Sequence, residues 1–192
     1  MSTYLSSLIL NPSDREVRRD LADCHALHAR VMTAFPHDPA LAGRAREHYG
    51  VLYRLEAHSR TRAIQLLVQS GHLPDWDRLP PRYLQPSDAL DGYPSAATKP
   101  IDQILGTITD GTELVFRLRA NPTRKIDTKT RPDGTKSNGN RVVLRTEEEW
   151  NGWIARKGNQ GGFEILTVRA AAADDTVDQL RSIFDAAPSQ HT

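Results

Sequence analysis

YLSSLILNPSDREVRRDLADCHALHARVMTAFP, residues 4–36, carries the first decision about the fold. Residues 3–10 read as a short strand, and Asn11-Pro12, a turn dipeptide, ends it. Beyond the turn, Leu21, Cys24, Val31, Met32 and Phe35 fall on one face at the 3.6-residue helical spacing. Phe35-Pro36 closes this predicted helix, because a residue before proline is pushed out of the helical region.

Working outward, residues 51–57 and 63–69 read as two further strands. The short polar link His58-Ser59-Arg60 makes a hairpin of them. Residues 74–100 are rich in Pro, Asp and Gly, and predict a long irregular connection with at most a short helix. Residues 112–120 then alternate: Leu114, Phe116 and Leu118 on one face, Glu113, Val115, Arg117 and Arg119 on the other. That pattern predicts a half-buried strand with arginines facing outward, ended by Asn121-Pro122. The order strand, helix, strand, strand, weak helix, strand is the ferredoxin-like βαββαβ unit, an α+β fold assigned here to residues 1–122. That scaffold hosts many activities, so it says little about function.

A Gly/Asn/Lys-rich loop over residues 133–140 leads to a predicted strand at 141–145. Thr146 and Glu149 form the Thr-x-x-Glu capping box at the start of a helix. Trp150, Trp153 and Ile154 supply its apolar stripe, Gly158 is its expected stop, and residues 163–168 read as one more strand. Residues 123–192 are therefore expected to form a second, incomplete ferredoxin-like domain, with a divergent tail from about residue 170.

With 38% hydrophobic and 26% charged residues, the chain has the composition of a folded protein and not of a disordered one. The net charge of +1 conceals a local imbalance: from Arg117 to Arg145 there are nine Lys/Arg against only Asp127 and Asp133. Beyond residue 170, Asp174, Asp175, Asp178 and Asp185 outnumber Arg181. The basic segment reads either as a phosphate-facing surface or as a solvated loop. Cys24 is the only cysteine, which fits a reducing cytoplasm. Neither a signal-peptide pattern nor a run of roughly 18 apolar residues is present, so a soluble intracellular protein without membrane contact is expected.

The chain contains no Gly-rich phosphate loop, CxxC pair or Ser-centred nucleophile elbow. His25 and His28 lie three apart on one predicted helix, but no third ligand has motif spacing, so neither a metal nor a cofactor is expected. His28 falls within the apolar stripe. It reads as a hydrogen-bonded core histidine, or as an imidazole presented in a cleft for acid–base chemistry. Trp150 and Trp153 fit core packing at i, i+3, or stacking on bases. Arg117 and Arg119 fit phosphate binding or a solvated sheet face.

Three stretches resemble the CRISPR-associated CasE family, the repeat-processing endoribonucleases of type I-E systems. They are the opening segment at residues 4–36, FRLRANPTRK at 116–125, and RVVLRTEEEWNGWIARKGNQGGFEIL at 141–166. The resemblance implies paired ferredoxin-like domains gripping the stem-loop of CRISPR repeat RNA, and metal-independent cleavage at the hairpin base. It implies a catalytic role for His28. Many members carry a tyrosine where this chain has His25, which the resemblance makes a positioning or proton-transfer partner. The implied RNA-binding residues are Arg18, Arg19, Arg117, Arg119, Arg124, Lys125 and Arg141, and other Cascade subunits are implied partners. After Ala170 the match ends: a basic hairpin and a C-terminal glycine-rich motif give way to an acidic stretch, which reads as a truncated or divergent end. Two functions remain open, an active endoribonuclease and an inactive RNA-binding or complex-assembly remnant.

Overall fold

A computed structural model describes residues 2–41, 43–57, 63–86, 90, 92–118, 120–126, 134 and 139–169. Its first strand, β1 (Tyr4–Ile9), alternates so that Ser6 and Leu8, with Leu10 beyond, lie buried. It ends where Asn11 folds on itself: its Oδ1 accepts from Ser13 N at 3.1 Å and its Nδ2 donates to the Arg82 carbonyl at 3.0 Å. Asp14 then caps α1 (Arg15–Ala22) by accepting from Glu16 N and Val17 N.

The single helix expected next is two. Asp23 adopts extended backbone, ends α1, and caps α2 (Cys24–Met32) by accepting from His25 N at 2.8 Å. Hydrogen bonding by a short Asp side chain competes with the helical ladder, which is the physical reason for the break. The expected stripe is correspondingly altered. Cys24 is exposed, Leu27 and Val31 are buried, and Phe35 is buried just past the helix end.

α3 (Ala45–His48) precedes the β2–β3 pair, β2 (Leu52–Ala57) and β3 (Ile64–Ser70), as expected. The link at 58–62 lies outside the described residues. Among the described residues of the long connection, Trp76–Arg78 form a 3₁₀ turn. The fourth strand is β4 (Ala96–Pro100), and the sheet order β2-β3-β1-β4 with every pairing antiparallel is the ferredoxin-like order. The core lies between this sheet and α1–α2: Leu8, Leu10, Ile64, Leu66 and Val68 meet Val17, Leu27, Val31 and Phe35. Full burial of each large apolar side chain stabilises the unit by about 1.5–3 kcal/mol.

The strand expected over residues 112–120 does not form. β4 already occupies the free edge of β1, and residues 112–118 carry no ladder. Leu114 and Phe116 are more than half exposed. A short helix, α4 (Asp102–Leu105), intervenes between β4 and this segment.

The boundary between two compact units falls between Glu113 and Leu114. Among the described residues, the second unit contains the hairpin β5 (Thr123–Lys125) and β6 (Arg141–Val143), then α5 (Glu147–Gly161). The capping box is present, with Glu149 N donating to Thr146 Oγ1 and Glu149 Oε2 accepting from Thr146 N. Gly158 is not the stop. It is buried inside the helix, where a Cβ would lie 2.6 Å from the Phe163 carbonyl oxygen, and Gly162 at φ 76° ends α5 instead. The strand expected at 163–168 is absent, and Phe163 packs edge-on to Phe116. Trp150 donates from Nε1 to the Leu144 carbonyl, and Trp153 is half-buried, so both tryptophans pack. The loop at 135–138 and the tail from residue 170 lie outside the described residues.

Candidate active site

α2 presents His28 towards the edge strand β2, where its ring stacks on Tyr53 with centroids 6.3 Å apart and planes 18° from parallel. Tyr53 reaches this place because β2 alternates, putting Val51, Tyr53 and Leu55 on the core side. Its hydroxyl donates to the Cys24 carbonyl at 3.4 Å, tying β2 to the first turn of α2. Arg46, from α3, lays its guanidinium over the other partner in this stack, 5.7 Å from the Tyr53 centroid. Arg46 Nε donates to the Val51 carbonyl at 3.1 Å. A shallow groove of about 540 Å³ runs from Arg46 along Gly43, Arg44, Glu47, Gly50, Val51 and Leu52; His28 itself is outside its lining.

His28 is half-buried, and its Nδ1 is closed off without a hydrogen-bond partner among the described residues. It is therefore not a satisfied core histidine. Burial, then the positive charge of Arg46, then His25 push its pKa below the ordinary histidine value. The imidazole is thus uncharged at neutral pH. With Nδ1 enclosed, proton exchange with a bound molecule falls to Nε2.

His25 is exposed one turn earlier on α2 and lies within electrostatic reach of His28. The other predicted site residues scatter. Arg18 Nη1 donates to the Pro12 and Ser13 carbonyls, stapling the β1–α1 turn. Arg19 grips Asp20 through Nε and Nη2. Arg117 is exposed in the second unit on a segment without strand structure, and Arg119 lies outside the described residues. Arg124, Lys125 and Arg141 are brought together on the β5–β6 hairpin, with Lys125 directly opposite Arg141. Like charges facing each other across a ladder destabilise it unless an anion lies between them.

One cluster has no counterpart in the sequence reading. Asp20, only 1% exposed, accepts from Arg30 Nε at 2.7 Å, from Arg19, and from Tyr83 Oη at 3.2 Å. Arg30 also donates to Glu16 at 2.7 Å and lies over the Tyr83 ring. Burial alone would raise the Asp20 pKa, but the bonds from Arg30 and Arg19 outweigh it and hold the carboxyl below its usual value. The cluster locks α1 to α2 and so fixes the helix that carries His28.

A family profile described as CRISPR associated protein matches residues 3–190. The chain is 33% identical over 163 residues to the CRISPR-associated endoribonuclease Cse3 of Thermus thermophilus, a stretch that is 85% of this chain and 65% of that protein.

The chain belongs to the CasE (Cse3) family of CRISPR-associated proteins.

Two solved structures resemble this CasE-family chain. Thermus thermophilus Cse3 bound to an RNA representing a pre-cleavage complex superimposes with a TM-score of 0.59 at 28% identity, covering 88% of this chain and 70% of that one. A Cse3 bound to a 19-nucleotide RNA gives 0.57 at 28% identity, covering 86% and 70%. The chain spans about two thirds of the length of these CasE relatives. Within the CasE-family framework, Tyr53 and Arg46 were missed in the sequence because only the tertiary fold brings β2 and α3 to α2. The alternation in β2 was the one available signal, and it marks the face of Tyr53 without naming its neighbour.

Proposed function

We propose that this chain binds the stem-loop of CRISPR repeat RNA and cuts the precursor transcript at the base of the hairpin, with His28 moving the proton. The observation that carries the reading is an uncharged, half-buried imidazole stacked on Tyr53 beside the arginine Arg46, in a chain of the CasE family. A relative bearing the name endoribonuclease, and Cse3 structures holding RNA, support the same activity.

The chemistry asks little of the protein. The ribose 2′-oxygen attacks the adjacent phosphorus as the bond to the 5′-oxygen breaks, leaving a 2′,3′-cyclic phosphate and a 5′-hydroxyl. His28 takes the 2′-hydroxyl proton and relays it to the departing 5′-oxygen, with His25 as a positioning or proton-transfer partner on the same helix. The nucleophile belongs to the RNA, so the scheme draws on no metal or cofactor. Arg124, Lys125 and Arg141 hold backbone phosphates on the β5–β6 hairpin, and the processed RNA stays bound as the chain joins other Cascade subunits in the cytoplasm.

A repeat RNA with a single 2′-deoxy sugar at the cut site tests this scheme. It is expected to bind with unchanged affinity and remain whole, while the all-ribose RNA yields a cyclic phosphate end. Cutting of the deoxy substrate would contradict attack by the 2′-oxygen. A second reading, an RNA-binding or assembly module that does not cut, draws on the second unit, where Leu114, Phe116 and Leu166 are more than half exposed. Tight binding of the all-ribose RNA without cleavage is the outcome that favours it.

A further inference from the structure

We infer that Arg46 is the residue that holds the scissile phosphate and stabilises the charge of the phosphorane, with Tyr53 as the platform that fixes its guanidinium beside His28. The inference rests on the endoribonuclease reading and names the guanidinium that acts there as the electrophilic partner.

Four observations converge on Arg46. Its guanidinium lies on the Tyr53 ring that also stacks on His28, so one aromatic side chain positions both groups. Its Nε is spent on the Val51 carbonyl, which orients the fork and leaves the two Nη groups to face outward. Among the described residues, no carboxylate lies within ion-pair distance of it. Arg19, Arg30, Arg78 and Arg124 each have an acidic neighbour. Finally, Arg46 lines a shallow groove together with Arg44, Gly50 and Leu52, so its guanidinium borders a surface open to an extended polyanion.

Of the cations expected from sequence, Arg18 and Arg19 share a unit with His28 and are engaged within α1 and its turn. An unneutralised guanidinium near an imidazole also has a consequence for timing. In the free protein Arg46 disfavours a second positive charge on His28. Burial is the larger cause of the lowered pKa, and a bound phosphate offsets the part due to Arg46, so the base strengthens when substrate is in place. The groups that face His28 are His25 on its own helix, Tyr53 on β2 and Arg46 on α3.

The test is single-turnover cleavage of a labelled repeat hairpin by wild type, Arg46→Ala and Arg46→Lys. It is paired with binding of the 2′-deoxy hairpin and NMR titration of the His28 ring. Arg46→Ala is expected to slow cleavage about 10²- to 10³-fold, as loss of one oxyanion donor does, while binding of the deoxy hairpin weakens far less. Arg46→Lys, which keeps the charge and loses the fork, is expected to recover part of the rate. The His28 resonance should titrate at higher pH in Arg46→Ala than in wild type. Cutting by wild type with an Arg46→Ala rate within about threefold of it would overturn the assignment alone. Absence of cutting by folded wild type would overturn the endoribonuclease reading and the phosphorane role with it. A His28 titration unmoved by Arg46→Ala would overturn the coupling in either case.

Discussion

His28 and Tyr53 lie ring against ring at 6.3 Å, one from a helix and one from the edge strand beneath it. This contact encloses one face of the imidazole and leaves its Nδ1 without a partner. Burial of the ring, and then the Arg46 cation beside it, disfavour a positive charge there. The geometry therefore holds His28 in the form that can accept a proton, which is what attack by a 2′-hydroxyl requires.

A pH dependence follows from that state. The folded His28 pKa lies below the ordinary 6.5, so the base is available at neutrality and is lost only as pH falls through the lowered value. The second-order cleavage rate at limiting RNA, which reports the free protein, is expected to decline only below 6.5, in step with the NMR titration of His28 in the free protein. A decline centred above 6.5 would contradict the depressed pKa. Folding linkage has the same origin: the unfolded chain binds this proton more readily, so stability starts to fall as pH drops through 6.5 and levels off below the folded pKa.

Asp20→Asn removes the charge at the centre of the Arg19–Arg30–Tyr83 cluster. Breaking a buried ion pair on one side costs about 3–5 kcal/mol, and Arg30, at 17% side-chain exposure, places this pair near that class. Urea unfolding is expected to show a lower midpoint with an unchanged slope. The wild-type contribution has the opposite pH sense to that of His28. Because the folded Asp20 pKa is lowered, its stabilisation is present above 3.8 and lost as pH falls through the folded value. A midpoint equal to wild type at neutral pH would show that the cluster does not fasten α1 to α2.

On the hairpin, Lys125 faces Arg141. If each neutralises one phosphate, Lys125→Ala and Arg141→Ala should each weaken RNA binding for every repeat sequence tested. Each should also reduce the slope of log affinity against log salt by about one. Measuring affinity across a salt series checks this. A slope equal to wild type in both variants would remove the hairpin from the RNA interface.

What could be read from the sequence was local. β1, β2 and β3 were legible because each repeats apolar residues on a core face, and α5 because Thr146 and Glu149 announce its start within four residues. β4 was not, since Ala96–Pro100 mixes small, charged and proline residues that suit an exposed edge and carry no strong strand signal. The alternation at 112–120 misled for the complementary reason: a period of two shows that a strand could form, not that a sheet edge is vacant. His28 was singled out through its resemblance to a family motif. Arg46, Tyr53 and the buried Asp20 were not, because their neighbours come from separate elements, and an Asp within an Arg-rich helix ordinarily marks a solvated face.

The most direct test of the account is cleavage of a labelled type I-E repeat hairpin in EDTA by wild type and His28→Ala side by side. Cutting at the hairpin base by wild type is expected, with a rate lower by about 10²- to 10⁴-fold in His28→Ala and nearly equal RNA affinity for the two. Equal cutting by both proteins would remove His28 from the chemistry and contradict the account at its centre.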